Sequence, residues 1–270
     1  MTINIRAYTA NDHDIWDAFC ESCFQATFLH KRRFLSYHKD RFRDASQVIE
    51  YEGKVVGLFP AAASPTDCGV VVSHPGITYG GLLHEKKLRG QLMLDVFFKL
   101  KDQLKIQGYQ YLHYKAIPHF YHSILAEDDL YALFRLGAVK NRCDLSSTIS
   151  LRRRLEPSSR RKRSLQKARA AGLMVSHDVR HLSTLYEILQ ENLRAKYGVQ
   201  PVHTFEEMHA LLNRFPEKIR ITSALKEGKL IAGVVTFLAS SVCWHAQYIA
   251  SNKIGFQYSA LDLIFERLIF

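Results

Sequence analysis

His245 and Tyr248 stand three residues apart in an apolar segment, and both side chains are suited to moving a proton. On an alternating strand they point to opposite faces, so at most one can line a cleft, and a buried, hydrogen-bonded aromatic is the alternative. Tyr114 and Lys115 fall at the end of a predicted strand, where open α/β sheets tend to bind ligands. The Lys115 ammonium could hold a phosphate or neutralise an oxyanion, or be a solvated edge lysine. Tyr79, Gly80 and Gly81 make a bend at which backbone can approach a ligand, though a structural turn needs glycines just as much. Arg160, Arg161, Arg163 and Lys167 adjoin Ser158 and Ser159 at a predicted helix start. They could clamp a pyrophosphate or a tRNA backbone, or form a solvated linker. No aromatic residue interleaves with the run 152–169, which weighs against base stacking.

Other groupings point away from chemistry. His113, His119 and His122 with Glu127, Asp128 and Asp129 match no standard metal spacing, and Pro118 separates the first histidine from the others, so no metal is expected. Cys20 and Cys23, flanked by Phe19 and Phe24, read as core packing. An odd cysteine count of five and a polar, acidic start without a signal peptide fit a reducing cytosol. The longest weakly polar stretch, 230–244, is broken by Thr236, Ser240 and Ser241, and a bilayer-crossing helix needs roughly 18 to 20 apolar residues. No membrane span is expected.

The chain has 270 residues, 47% hydrophobic and 23% charged, which is enough apolar material for one large or two ordinary cores and excludes wholesale disorder. Its formal charge of +11 suggests an acidic partner such as phosphate, nucleic acid or an anionic membrane. Between residues 151 and 169 nine basic residues face one acidic residue, a net of +8. The basicity is therefore local, and a whole-surface nucleic-acid coat is disfavoured.

The elements that must position these residues follow a repeated pattern. Residues 48–59 and 221–235 each read as an apolar strand, a tight Glu-Gly-Lys turn (52–54 and 227–229) and a second β-branched strand, with an offset of 175 residues. Arg-Phe pairs precede both hairpins, at 41–42 and 214–215, which points to an internal duplication. The first copy continues with a predicted strand at 77–83, a helix over 88–106 with Leu92, Val96, Leu100 and Leu104 on one face, and Gly108 closing it. A strand at 109–116, a helix over 119–136 and a strand at 138–151 complete it.

The second copy opens with helices at 164–171, 182–196 and 204–213, the last begun by a Thr204/Glu207 capping box. Its hairpin, a strand from Val242 to residue 250 and a helix from about Phe256 follow. The chain then ends at Leu268-Ile269-Phe270, an apolar helix end with nothing after it. By analogy with the first copy further strands should follow, so a truncated second copy is expected. The predicted organisation is a mixed-sheet domain over 1–151, a basic linker and helix start over 152–169, and an incomplete domain over 170–270.

A hairpin and strand leading through a loop into a helix resemble the GNAT acyltransferase unit, in which a helix start receives the pyrophosphate of coenzyme A. The matching stretch is 247–260, with one glycine where the usual loop has two or three. Longer stretches, Ser73-His-Pro-Gly-Ile-Thr-Tyr-Gly-Gly-Leu-Leu83, Tyr114-Lys-Ala-Ile-Pro-His-Phe-Tyr121, Glu127-Asp-Asp-Leu-Tyr131, Arg160-Arg161 with Lys167-Ala168, and His245-Ala-Gln-Tyr-Ile-Ala-Ser-Asn252, resemble the FemAB-like branch of GNAT proteins.

The resemblance implies two tandem α/β GNAT-like mixed-sheet domains. It also implies transfer of an acyl or aminoacyl group from acyl-CoA or aminoacyl-tRNA to an amine on a nucleotide- or lipid-linked envelope or polysaccharide precursor. His245, Tyr248 and Lys115 would then serve catalysis. Tyr79, Gly80, Gly81, Tyr114, Arg160, Arg161 and Lys167 would bind substrate, and Ser251, Asn252 and Gly255 the donor. A non-catalytic module binding RNA or an anionic glycan, and an inactive remnant, stay open beside it.

Overall fold

The computed structural model describes residues 2–241 and 243–270, so the predicted strand start at Val242 lies outside the described residues. The chain divides into two compact units, Met1–Ser146 with Ala239–Cys243, and Ser147–Leu238 with Trp244–Phe270.

The first unit contains β1 (Ile3–Ala7), α1 (His13–Ser22), α2 (Arg32–Leu35), β2 (Gln47–Tyr51), β3 (Lys54–Phe59), β4 (Ala62–Ala63), β5 (Val70–Val72), β6 (Leu83–His84), α3 (Gly90–Ile106), β7 (Tyr111–His113) and α4 (Asp128–Arg135). Its larger sheet runs β1-β2-β3-β6, antiparallel throughout. A smaller sheet runs β4-β5-β7, with β5 and β7 parallel. At the β2–β3 turn Tyr51 faces Lys54 while Glu52 (φ 51°) and Gly53 (φ 75°) are both left-handed, the geometry of a type I′ hairpin. Met93, Leu94, Val96, Phe97, Leu100 and Leu104 of α3 pack on Ile49, Val56 and Phe59 of the sheet. Burying each such side chain contributes ~1.5–3 kcal/mol.

Three predicted elements differ here. The strand expected at 77–83 shrinks to β6, because the Tyr79-Gly80-Gly81 bend takes the chain across the end of β7. The helix expected over 119–136 splits into a 3₁₀ turn (His119–Tyr121) and α4, separated by an irregular stretch. The strand expected at 138–151 has no regular structure: Leu145, Ile149 and Leu151 are exposed, and their alternation finds no partner strand among the described residues.

The second unit contains α5 (Ser159–Ala170), β8 (Met174–Ser176), α6 (Leu182–Tyr197), α7 (Phe205–Arg214), β9 (Ile219–Lys226), β10 (Lys229–Ser240), β11 (Cys243–Ser251), α8 (Lys253–Gln257) and α9 (Ala260–Ile269). Cys243, the first residue of β11, and Ala239 and Ser240, the last of β10, group with the first unit. The sheet order is β11-β10-β9-β8, the same succession of strand, hairpin and following strand as β1-β2-β3-β6. Its hairpin repeats the first in detail, with Lys226 opposite Lys229 and left-handed Glu227 (φ 51°) and Gly228 (φ 76°). Thr204 and Glu207 form the expected reciprocal cap on α7.

At the end of α9, Leu268 and Ile269 are half-buried and Phe270 is exposed. The Arg154 guanidinium donates to the Ile269 carbonyl at 3.1 Å and lies 3.9 Å from the centre of the Phe270 ring.

Candidate active site

In the first unit the loop 73–82 folds against the carboxyl end of β7. The Ser73 N–H donates to the His113 carbonyl at 3.0 Å, the Lys115 N–H to Ser73 Oγ at 2.7 Å, and the Gly80 N–H to the Lys115 carbonyl at 3.0 Å. A Cβ at Gly80 would lie 1.8 Å from the Ser73 carbonyl oxygen, and one at Gly81 3.0 Å from Tyr114 Oη. Gly81 is also left-handed (φ 83°), so both glycines are required by the loop's own packing.

The polar ends of Lys115 and Tyr114 are used inside the unit. Lys115 Nζ donates to the carbonyls of His74 (3.2 Å) and Ile77. Burial pushes the Lys115 amine down to about 8, and the Arg142 charge pushes it the same way. Tyr114 Oη accepts from the Leu82 N–H at 2.8 Å and donates to Asp129 Oδ2 at 2.5 Å. Burial raises the Asp129 carboxyl above its ordinary value. The Tyr79 ring is buried 4.6 Å from the Tyr121 ring and 5.7 Å from the His30 ring, and burial raises its phenol. The structure thus gathers Tyr79, Gly80, Gly81, Tyr114 and Lys115 at one place in the first unit.

In the second unit β11 carries His245, Tyr248 and Ser251 into α8. His245 is half-buried, and desolvation lowers its pKa, which keeps the ring neutral at pH 7. Tyr248 is buried, with Oη 2.6 Å from His203 Nδ1 and accepting from the His203 N–H at 3.2 Å. The Tyr186 hydroxyl from α6 donates to the His203 carbonyl at 3.2 Å. His203 lies 45 residues from Tyr248, and no spacing rule in the sequence singles it out. The structure alone brings it in.

The turn from β11 into α8 is built around the bulge in β10 at residues 230–232. The Ile231 carbonyl accepts from the Asn252 N–H at 3.0 Å, and a Cβ at Gly255 would lie 2.4 Å from that oxygen and 2.3 Å from Ser251 Oγ. Asn252 caps α8 by accepting from the Gly255 N–H at 2.9 Å, while Asn192 of α6 donates to the Ser251 carbonyl at 2.9 Å. Ser251 and Gly255 therefore shape the turn. The N–H groups of Lys253 and Ile254 take no acceptor among the described residues, as orphan donors at a helix start do.

The basic run divides by helix face. On α5, capped by Ser158, Arg161 pairs with Asp262 and Arg169 with Glu266, both acids on α9. Lys162 meets Glu156 at 3.4 Å. Arg160, Arg163 and Lys167, spaced by three and four, lie exposed on the other side without an ion-pair partner among the described residues. The predicted substrate-binding set is split: Arg161 ties two helices together, while Arg160 and Lys167 face solvent. Among the described residues no group of three or more His, Cys, Asp or Glu is placed to hold a metal ion, and no helix is long and apolar enough to cross a membrane.

No family model and no curated protein matches the sequence. Among solved structures, the crystal structure of FemX aligns with 98% of this chain and 86% of its own at 12% identity and a TM-score of 0.60. The C-terminal domain (DUF2156) of a putative lysylphosphatidylglycerol synthetase from Agrobacterium fabrum aligns with 79% of this chain and 62% of its own, at 9% identity and 0.49. A tandem GNAT protein from the clavulanic acid biosynthesis pathway aligns with 98% and 83%, at 11% identity and 0.47. The fold is that of FemX, in line with the sequence resemblance.

Proposed function

We propose that the chain is a GNAT-type N-acyltransferase, passing an acyl or aminoacyl group from acyl-CoA or aminoacyl-tRNA to an amine on a nucleotide- or lipid-linked envelope or polysaccharide precursor. The observation that carries the reading is the β11–α8 turn, where the Lys253 and Ile254 N–H groups stand unpaired beside the Asn252 cap. Such donors suit the pyrophosphate of coenzyme A or a phosphate of tRNA, and Asn252 and Gly255 hold the backbone that presents them.

His245, neutral at pH 7, supplies a proton-moving group on β11, while the Tyr248 hydroxyl is held by His203. The acceptor falls to the first unit, near Tyr79, Tyr114 and Lys115. There the Lys115 ammonium, held by the carbonyls of His74 and Ile77, sets a positive charge close to the loop backbone. Positioning and oxyanion stabilisation supply most of the acceleration.

Thermal unfolding of the full chain, alone and with acetyl-CoA or alanyl-tRNA, tests the proposal. A donor at about 100 times its Kd adds ~2.7 kcal/mol and raises Tm by several degrees. No rise with either donor class sinks it.

A second reading is favoured by one observation, the exposed face of Arg160, Arg163 and Lys167: a module that grips RNA or an anionic glycan without chemistry. Binding of arbitrary RNA that weakens steeply with salt, together with indifference to acetyl-CoA, would select it.

A further inference from the structure

A cavity of about 460 Å³ opens in the first unit, within the roughly 300–1,000 Å³ typical of small-molecule sites. It lies where β1 ends, β2 begins and α3 ends, and its wall includes Tyr8, Arg43, Asp44, Gln47, Gln107 and Tyr109. Tyr109 leads into β7, whereas the loop 73–82 meets the other end of that strand, so the cavity and the candidate acceptor loop are separate places. Buried groups hold the wall. The Arg32 guanidinium, with 6% of the residue exposed, lies 3.4 Å from the centre of the Tyr8 ring and pairs with Asp44. Asp44 Oδ1 also accepts from the Ser46 N–H at 2.8 Å. The fully buried Gln47 donates to the Ala45 carbonyl at 2.8 Å and to Gln107 Oε1 at 3.1 Å.

What this wall has to spare is mainly donors and one positive charge. Asp44, the one carboxylate in it, is matched by Arg32. Arg43 has no acidic partner among the described residues, and its Nη2 donates to Tyr109 Oη at a long 3.4 Å. Tyr109 accepts there, so its own hydrogen is unspent, and the Tyr8 hydroxyl has no partner among the described residues. Gln107 Nε2 spends one of its two hydrogens on Gln47 Oε1, at 3.4 Å. At the end of α3 the carbonyls of Gln103, Leu104 and Lys105 accept from the N–H groups of Gln107, Tyr109 and Gly108, which satisfies the acceptors of that helix end. We propose that the cavity binds a small organic anion, its phosphate or carboxylate group taken by the Arg43 guanidinium and the Tyr109 hydroxyl and its flat or apolar body laid along the Tyr8 ring. The site is independent of acyl transfer and holds whether or not the chain carries that reaction out.

Proton–nitrogen correlation of the side chains in the full chain tests it, because the Arg43 Nε–H and the Gln47 and Gln107 amides report from the wall itself. The probes are phenyl phosphate, benzoate and AMP, with phenol and adenosine as uncharged controls and inorganic phosphate as the bare ion. The three organic anions should move these signals saturably and the uncharged controls should not. Inorganic phosphate should bind about 10-fold more weakly than phenyl phosphate, which also covers apolar surface on Tyr8. Arg43→Gln should weaken the phosphates and benzoate alike by about 10-fold, the loss of a charge-assisted hydrogen bond. Failure of every organic anion to move the three reporters overturns the site. So does a response to AMP confined to signals of the second unit, which would place it at the candidate donor turn.

Arg43 is exposed, so its variant should keep the wild-type Gln47 and Gln107 signals when no probe is present. Tyr109→Phe is a second variant, one that removes only a hydroxyl, and should weaken phenyl phosphate by about threefold to 10-fold. Unchanged affinity for phenyl phosphate in both variants would take the anion away from Arg43 and Tyr109 and overturn the assignment. Inorganic phosphate binding as tightly as phenyl phosphate would reduce the site to a surface ion contact and overturn it as well.

Discussion

The hydroxyl of Tyr114 stands between the N–H of Leu82 and the carboxyl of Asp129, accepting from the first at 2.8 Å and donating to the second at 2.5 Å. Asp129 sits on α4 and Leu82 ends the glycine bend, so one oxygen fastens the candidate acceptor loop to a helix.

Tyr114→Phe removes that oxygen and leaves two buried groups without a partner. Each such group costs ~1–3 kcal/mol, so the expected loss is about 2–4 kcal/mol, seen as a lower urea midpoint with an unchanged slope. Tyr114→Phe combined with Asp129→Leu should recover part of it, because the orphaned carboxyl is then gone. A single variant as stable as the wild type would show the bond to be idle.

The split of the basic run gives two opposite outcomes from one helix. Arg161→Gln with Arg169→Gln severs α5 from the α9 acids and should lower Tm by a few degrees while leaving RNA affinity and its salt dependence unchanged, since exposed pairs contribute about 0.2–1 kcal/mol each. Arg160→Gln with Arg163→Gln and Lys167→Gln should leave Tm alone. If the second reading holds, these three changes reduce the slope of log K against log salt by about 2 for single-stranded RNA. Equal effects from both sets on both measurements would dissolve the distinction between the faces.

Acid should unfold the first unit through its buried imidazoles. Burial holds His30 down at about 4 and His74 at about 3, against about 6.5 in an unfolded chain. Between those values the unfolded state binds the extra protons, so stability is full above about pH 6.5 and is lost as pH falls toward 4. Each histidine contributes a slope of up to ~1.4 kcal/mol per pH unit in that window. Urea unfolding at pH 7, 6, 5 and 4 should show the decline, and His74→Phe should flatten it. A slope the same in that variant as in the wild type would remove His74 from the account.

What could be read before the structure was known depended on how local its physics was. The two Glu-Gly-Lys hairpins were legible because a type I′ turn needs consecutive left-handed residues and glycine meets that need, and both turns carry the same angles. The Thr204 cap and the α3 stripe were legible for the same reason, since their partners lie three or four residues away. The strand expected at 138–151 was not, because alternation reports a face and says nothing about whether a neighbouring strand exists. His203 beside Tyr248, Asp129 beside Tyr114 and Asp262 beside Arg161 are meetings across 45, 15 and 101 positions. Only packing brings them together, and they decide which candidate side chains are already occupied.

The donor site itself can be probed by a change that removes one hydrogen. Lys253 is the first residue of α8, where proline fits the helical φ and lacks only an N–H that has no partner inside the helix. Asn252 ahead of it is extended (φ −84°, ψ 179°), the conformation that a following proline demands. Lys253→Pro should therefore fold with the wild-type Tm, keep the Asn252–Gly255 cap, and lose affinity for acetyl-CoA. Part of that loss is the lysine charge, so Lys253→Ala serves as the reference. Proline should bind about 10-fold more weakly than alanine, the equivalent of one hydrogen bond to a charged phosphate at ~1.5 kcal/mol. Isothermal titration with acetyl-CoA on the three proteins reads the difference directly. Equal affinities for the alanine and proline variants would mean that the Lys253 N–H does not face the donor, and the pyrophosphate would have to be sought elsewhere on the second unit.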